Sequence, residues 1–162
     1  MKKILLFCLS FLLTLTATAA EKDYGKYYQN LPKAMPQPAM PTIPNNQVSL
    51  TDFGAIPDGI TLNTEAFHKA ISKLTKLGGG HLIVPAGIYL TGPISLKDNI
   101  DIHLERNALI LFSPNKKDFL KATDNEPQPK VVSGITASKR TNISITGEGT
   151  IDGNGQWWRP VK

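Results

Sequence analysis

Cysteine is nearly missing from this chain of 162 residues: Cys8 is the only one. It lies in an apolar run at residues 4–15, behind Phe7, where a lipid-attachment cysteine would not be expected. A disulfide framework is therefore excluded, as is any cysteine-based metal site. Aromatic residues are scarce at 7%. No apolar run is long enough to cross a bilayer as a helix, which needs about 20 residues. Lysine and arginine form no dense cluster, which argues against a nucleic-acid reader. His68, His81 and His103 lack the i, i+4 spacing of a helix-borne metal pair, so no metal and no cofactor is expected. A calcium-dependent lyase would need a carboxylate cluster, and none is visible.

What is present begins at the first residue. Lys2 and Lys3 precede the apolar run, and Ala17, Thr18, Ala19 and Ala20 follow it. A charged start, a short apolar centre and a small-residue exit read as a secretory signal peptide over residues 1–20. Its removal would take the only cysteine and lower the formal charge from +5 to +3. A secreted or periplasmic destination follows, with no membrane association after cleavage. Residues 21–47 carry Pro32, Pro36, Pro38, Pro41 and Pro44, which favour an extended arm over a helix. Tyr24, Tyr27 and Tyr28 precede these prolines and are expected to anchor the arm by burial.

Residues 48–162 are expected to form one domain. Val48, Leu50 and Phe53 alternate with polar residues as in a short strand. A helix is expected from Thr64, capped by Asn63 or Thr64, with Glu65 in its first turn. Phe67, Ala70, Ile71, Leu74 and Leu77 share its apolar face, and Lys69, Lys73 and Lys76 lie mostly off it. Gly78, Gly79 and Gly80 stop it.

From Leu82 to Phe112 five short apolar runs alternate with three-residue breaks. β-Branched residues between turn formers argue strands. None of these breaks is the two-residue Asn-Gly or Asp-Gly of a tight antiparallel hairpin. The pattern also recurs. Asn99, Ile100, Asp101 and Ile102 return 43 residues later as Asn142, Ile143, Ser144 and Ile145, with a polar, Pro-containing stretch at residues 113–130 in between. The earlier step, Ile83 to Ile102, is 19 residues. Short strand units repeated with a loop inserted at one corner suggest coils of a parallel β-helix. The helix before the first coil then serves as a lid over its otherwise open end. No comparable lid follows the last strand, so the chain is expected to be the first part of a longer protein or a truncated relative of one.

Asp101, His103 and Glu105 alternate with Ile100, Ile102 and Leu104, which places them on the outward face of a strand. Asp101 and His103 are therefore candidate sugar-binding residues, although a solvated face is the commoner meaning of such a row. Trp157 and Trp158 are candidate stacking residues, or a cover for the side of the coils. Asp152 before Gly153 reads as a turn former.

Several motifs together make a resemblance specific. They are Asp52-Phe53-Gly54-Ala55, Asp58-Gly59, Asn63-Thr64-Glu65-Ala66-Phe67, the triple glycine, and Val84-Pro85-Ala86-Gly87-Ile88-Tyr89. Gly147-Glu148-Gly149-Thr150-Ile151-Asp152-Gly153 and Gly155-Gln156-Trp157-Trp158 complete the set. From Val48 onward the chain resembles the N-terminal third of glycoside hydrolase family 28, the polygalacturonases of the pectate-lyase-like superfamily. The resemblance implies an all-β, right-handed parallel β-helix acting on pectic polysaccharide, with inversion at the anomeric carbon. The family's catalytic motifs are Asn-Thr-Asp, Asp-Asp, Gly-His-Gly and Arg-Ile-Lys. None occurs here: Asn63-Thr64-Glu65 opens the lid helix, and Gly80-His81-Leu82 departs from Gly-His-Gly. No residue is carried over as catalytic, and this chain alone is expected to be inactive and monomeric. The alternative is a non-catalytic polysaccharide-binding or surface β-helix module.

Overall fold

The computed structural model describes residues 25–121 and 129–159. The signal-peptide reading, Cys8 and Tyr24 lie outside the described residues. The chain divides into two units, Met1–Ala39 and Met40–Lys162. In the first, a single 3-10 turn spans Gly25–Tyr28, and Tyr27 is exposed beneath the Lys26 ammonium, 5.0 Å from the ring centre.

The second unit opens with β1 (Gln47–Ser49), followed by a 3-10 turn at Leu50–Phe53 where a longer strand was expected. Gly54 ends that turn at φ 85°. Helix α1 is Thr64–Lys76. Ala66, Phe67, Ala70, Ile71 and Leu74 are buried on its inner face, whereas Leu77, expected there, lies past the helix end and is exposed. Burial of Phe67, Ile71 and Leu74 contributes roughly 1.5–3 kcal/mol each. Asn63 stands at the N-cap position, but its side chain does not cap the helix. It turns back to the preceding loop, accepting from the Ile56 amide at 2.7 Å and donating to the Ile56 and Thr61 carbonyls at 3.0 and 2.8 Å. Gly78, Gly79 and Gly80 all take positive φ, and the Gly79 amide closes on the Leu74 carbonyl at 2.9 Å. A side chain at Gly79 would also strike Asn99, so glycine is required there on two counts.

The remaining strands are β2 (Gly80–Val84), β3 (Gly87–Thr91), β4 (Ile94–Ser95), β5 (Ile100–Leu104) and β6 (Ala108–Phe112). After them come β7 (Leu120–Lys121), β8 (Lys130–Val131), β9 (Ile135–Thr136), β10 (Ile143–Gly147) and β11 (Thr150–Asp152). They form three parallel stacks: β1-β2-β5-β10, β3-β6-β11 and β4-β9. The loop at Pro57 to Asn63 extends the second stack, bridging Asp58 to Ile88 in parallel. Among the described residues antiparallel pairing occurs only between β7 and β8, at the end of the polar stretch expected to be an inserted loop.

The coils β2-β3-β4 and β5-β6-β9 therefore visit the same three walls in turn. Ile143 pairs with Ile100 and Ile145 with Ile102, the register expected from the 43-residue repeat. The earlier step is corrected by one residue: Ile102 pairs with Leu82 and Ile83 with His103, a spacing of 20. A one-residue slip in a strand turns every side chain to the opposite face, so the correction decides what is inside. Inside lie columns of like residues: Leu82, Ile102 and Ile145; Gly80, Ile100 and Ile143; Tyr89, Ile110 and Ile151. Tyr89 is fully buried and its hydroxyl has no partner. Burial, with the Glu105 charge second, pushes its pKa up.

Candidate functional site

The outward face of the β2-β5-β10 wall carries a polar row. The register sets His81 beside Asp101 and Asp101 beside Ser144; one pleat further along, His103 stands beside Thr146. Asp101 does point outward, as its alternation with Ile100 and Ile102 requires. It is nevertheless only 2% exposed, because its neighbours close over it.

The carboxylate accepts three hydrogen bonds from two other coils. The His81 Nδ1–H reaches Oδ2 at 2.9 Å, the Ser144 hydroxyl reaches Oδ1 at 2.7 Å, and the Thr146 hydroxyl reaches Oδ2 at 2.9 Å. Thr146 has a single hydroxyl hydrogen. With it committed to Asp101, its oxygen accepts from the His103 Nδ1–H at 2.8 Å. Both imidazoles thus carry their hydrogen on Nδ1 and keep Nε2 for whatever lies outside. A buried carboxylate needs such donors, since without them its desolvation would cost several kcal/mol. Asp101 is consequently a clamp across three coils, and the accessible members of the row are His81 and His103. Further along the same face, Arg106 and Glu148 pair at 2.7 Å, both well exposed.

The tryptophans divide. Trp158 packs edge-on against Phe119 with ring centres 4.8 Å apart, and Phe119 meets Phe112 at 6.2 Å. These rings, with Val131 and Ile135, line an open apolar cavity of about 610 Å³ beside the last coil. Trp158 therefore covers the coil side, the reading preferred from its size. Trp157 is 58% exposed and free to stack on a ring. The Asp152 carboxylate accepts from the Asn154 amide at 2.7 Å, which makes it a turn former as expected. In the lid, the Thr64 hydroxyl oxygen accepts from the Gly92 amide at 2.7 Å, tying α1 to the first coil. Among the described residues no three His, Cys, Asp or Glu side chains converge as metal ligands would, and no helix is long and apolar enough to cross a membrane.

Sequence reasoning placed Asp101 and His103 on this face but missed their neighbours His81, Ser144 and Thr146. The signal was available: adding 20 to 81 and 43 to 101 lands on the partners. It required the corrected step, because a step of 19 pairs His81 with Ile100 and hides the row.

Three stacked parallel walls closed by repeated short corners define a parallel β-helix. Comparison with known proteins gives the family. The chain is 39% identical over 130 residues to a probable polygalacturonase of Vitis vinifera, covering 70% of this chain and 26% of that protein. A hyperthermoactive exopolygalacturonase from Thermotoga maritima superposes with a TM-score of 0.62 at 40% identity, over 71% of this chain and 26% of its own. A family 28 exopolygalacturonase of Yersinia enterocolitica gives 0.59 at 34% identity, over 68% of this chain and 21% of its own. No family model matches the chain. Over the matched residues the chain is a polygalacturonase-like homologue of glycoside hydrolase family 28, and its fold is the right-handed parallel β-helix. It spans about a quarter of the length of these relatives.

Proposed function

We propose that these coils belong to a secreted or periplasmic pectin-degrading glycoside hydrolase acting on a polygalacturonate-like polymer by inverting hydrolysis. Inversion calls for one carboxylic acid to protonate the leaving oxygen and a second carboxylate to activate water, roughly 6.5–9.5 Å apart. Among the described residues of the outward wall there is no such pair. Asp101 is filled by three donors, and Glu105 and Glu148 stand on an open face, with Glu148 held by Arg106. In this reading the present residues fold the entrance of the β-helix and present a wall to the polymer, and other coils supply the chemistry. The accessible residues are His103, through Nε2 on the β2-β5-β10 wall, and Trp157, through its exposed ring in the turn after β11. Asp101 holds the histidines in place, and Trp158 supports the corner.

The observation that carries the proposal is the 39–40% identity to polygalacturonases over about 70% of the chain. A reducing-sugar assay with polygalacturonate tests it in one direction: this chain releases none, and clear turnover would refute its inactivity. Affinity electrophoresis through the same polymer tests it in the other. The chain is retarded, and His103→Ala with Trp157→Ala reduces the retardation. A migration unchanged by the polymer would refute the wall.

A further inference from the structure

The outer side of α1 has a feature that the lid role does not require. Lys69, Lys73 and Lys76 follow at steps of four and three, which places them along one stripe of the helix. Like charges at these spacings repel and weaken a helix. The helix C-terminal dipole compensates Lys73 and Lys76, which lie in the last turn, but not Lys69. Lys97, following β4, faces the same region. Among the described residues none of these four lysines has a carboxylate within 4.0 Å. Of the nearby acids, Asp98 is taken by Arg140 and the Thr141 amide, while Glu65, 3.8 Å from His68, stands one turn before Lys69 and offsets only that end of the stripe.

Between α1 and β4 runs an open groove of about 460 Å³. Ile71, 2% exposed, lies at its base, its hydroxyls are Ser72, Thr75 and Ser95, and its cations are Lys76 and Lys97, with His68 also on its lining; the Thr75 hydroxyl donates to the Ile71 carbonyl at 2.8 Å. The volume falls in the range of small-molecule clefts, roughly 300–1,000 Å³. An apolar floor flanked by hydroxyls and two ammonium groups matches a sugar ring that bears a carboxylate. A flat anionic surface would need the lysines but not the groove.

We propose that this groove is a docking site for an acidic polysaccharide, one uronate unit seated over Ile71 with its carboxylate between Lys76 and Lys97. The chain of uronates continues along Lys73 and Lys69. The site is on the lid and separate from His103 on the β2-β5-β10 wall and from Trp157 in the turn after β11. The choice of a uronate polymer over other acidic glycans rests on the function proposed above; the charged groove itself does not.

The test compares the full chain with Lys76→Gln/Lys97→Gln and with Lys116→Gln/Lys117→Gln, a variant of equal charge loss elsewhere, after confirming equal melting temperatures. Binding to polygalacturonate is measured by affinity electrophoresis at low ionic strength. The groove variant is expected to bind about tenfold more weakly, the sum of two exposed ion pairs, and the control to change by less than about twofold. Equal weakening in both variants would show a response to net charge and overturn the site, as would no weakening in the groove variant. Tighter binding to phosphatidylglycerol vesicles than to the polymer would likewise overturn it in favour of a membrane surface. If His103→Ala with Trp157→Ala weakens binding and the groove variant does not, the docking site fails while the proposed function stands. A wild-type chain that does not bind polygalacturonate at all overturns both.

Discussion

The two ends of the stack are made from the same kind of residue and meet different fates. At the first end, Phe67 and Leu74 of α1 seal the interior, and Leu82 and Val84 beneath them are fully buried. At the last described coil, Ile143 and Ile151 are only partly buried and Ile145 is 45% exposed, although Ile102, its partner in the same column, is fully buried. An apolar residue in a stacked fold owes its burial to the next layer as much as to its own strand. Phe119 and Trp158 protect one corner of the last coil, and among the described residues nothing comparable crosses its isoleucines.

The sharpest way to break this comparison is to truncate matched residues. Phe67→Ala or Leu74→Ala should cost about 3–4 kcal/mol in urea unfolding, and Ile102→Ala about 3. Ile145→Ala, in the same column as Ile102, should cost less than about 1 kcal/mol, because its side chain has little burial to lose. Equal losses at 102 and 145 would mean that the last coil is sealed.

Next in size is the clamp. Asp101→Ala removes a shared acceptor and leaves the Ser144, Thr146 and His81 donors to find water, for an expected loss of about 2 kcal/mol in the same assay. Asp101→Asn keeps the shape and should lose less. Tyr89→Phe is a smaller change of opposite sign: deleting a buried hydroxyl that has no partner should stabilise by up to about 1 kcal/mol.

The smallest effect is expected from pH. The hydrogen bond from the Thr141 amide, followed by the bond and charge of Arg140, holds the Asp98 carboxyl below the usual range against a desolvation push upward. A depressed folded pKa stabilises above the ordinary aspartate value and loses that contribution as pH falls through the folded value. Asp98 joins the second coil to the last, so acidification should loosen the Thr141 amide first, and Asp98→Ala should remove that acid dependence. Amide chemical shifts followed from pH 6 to 2 would show it. At the other end Asp58 is also held low, first by the Thr61 amide and hydroxyl, but it closes only its own turn.

Much of this architecture was legible in the chain. The amphipathic period from Phe67 to Leu74, the triple glycine and the 43-residue echo of Asn99 to Ile102 sufficed for the lid, its stop and the register of β10 on β5. What escaped has physical causes. Leu77 fits the helical period, but the helix ends one residue earlier, at Lys76, and the chain turns away. Asn63 occupies a capping position, yet a loop with several backbone groups to satisfy claims its side chain. Asp101 alternates as an exposed residue should, and only neighbours brought from 20 residues before and 43 after bury it. A strand's own pattern reports which face a residue takes; how deeply that face is covered depends on the other coils.

Native-state hydrogen exchange tests the account of unequal ends most directly. Amides of α1, β2 and β5 should exchange only with global unfolding, while those of β10 and β11 should exchange through local opening at a lower free energy. Protection in β10 equal to that in β5, or a lid helix that exchanges first, would contradict it.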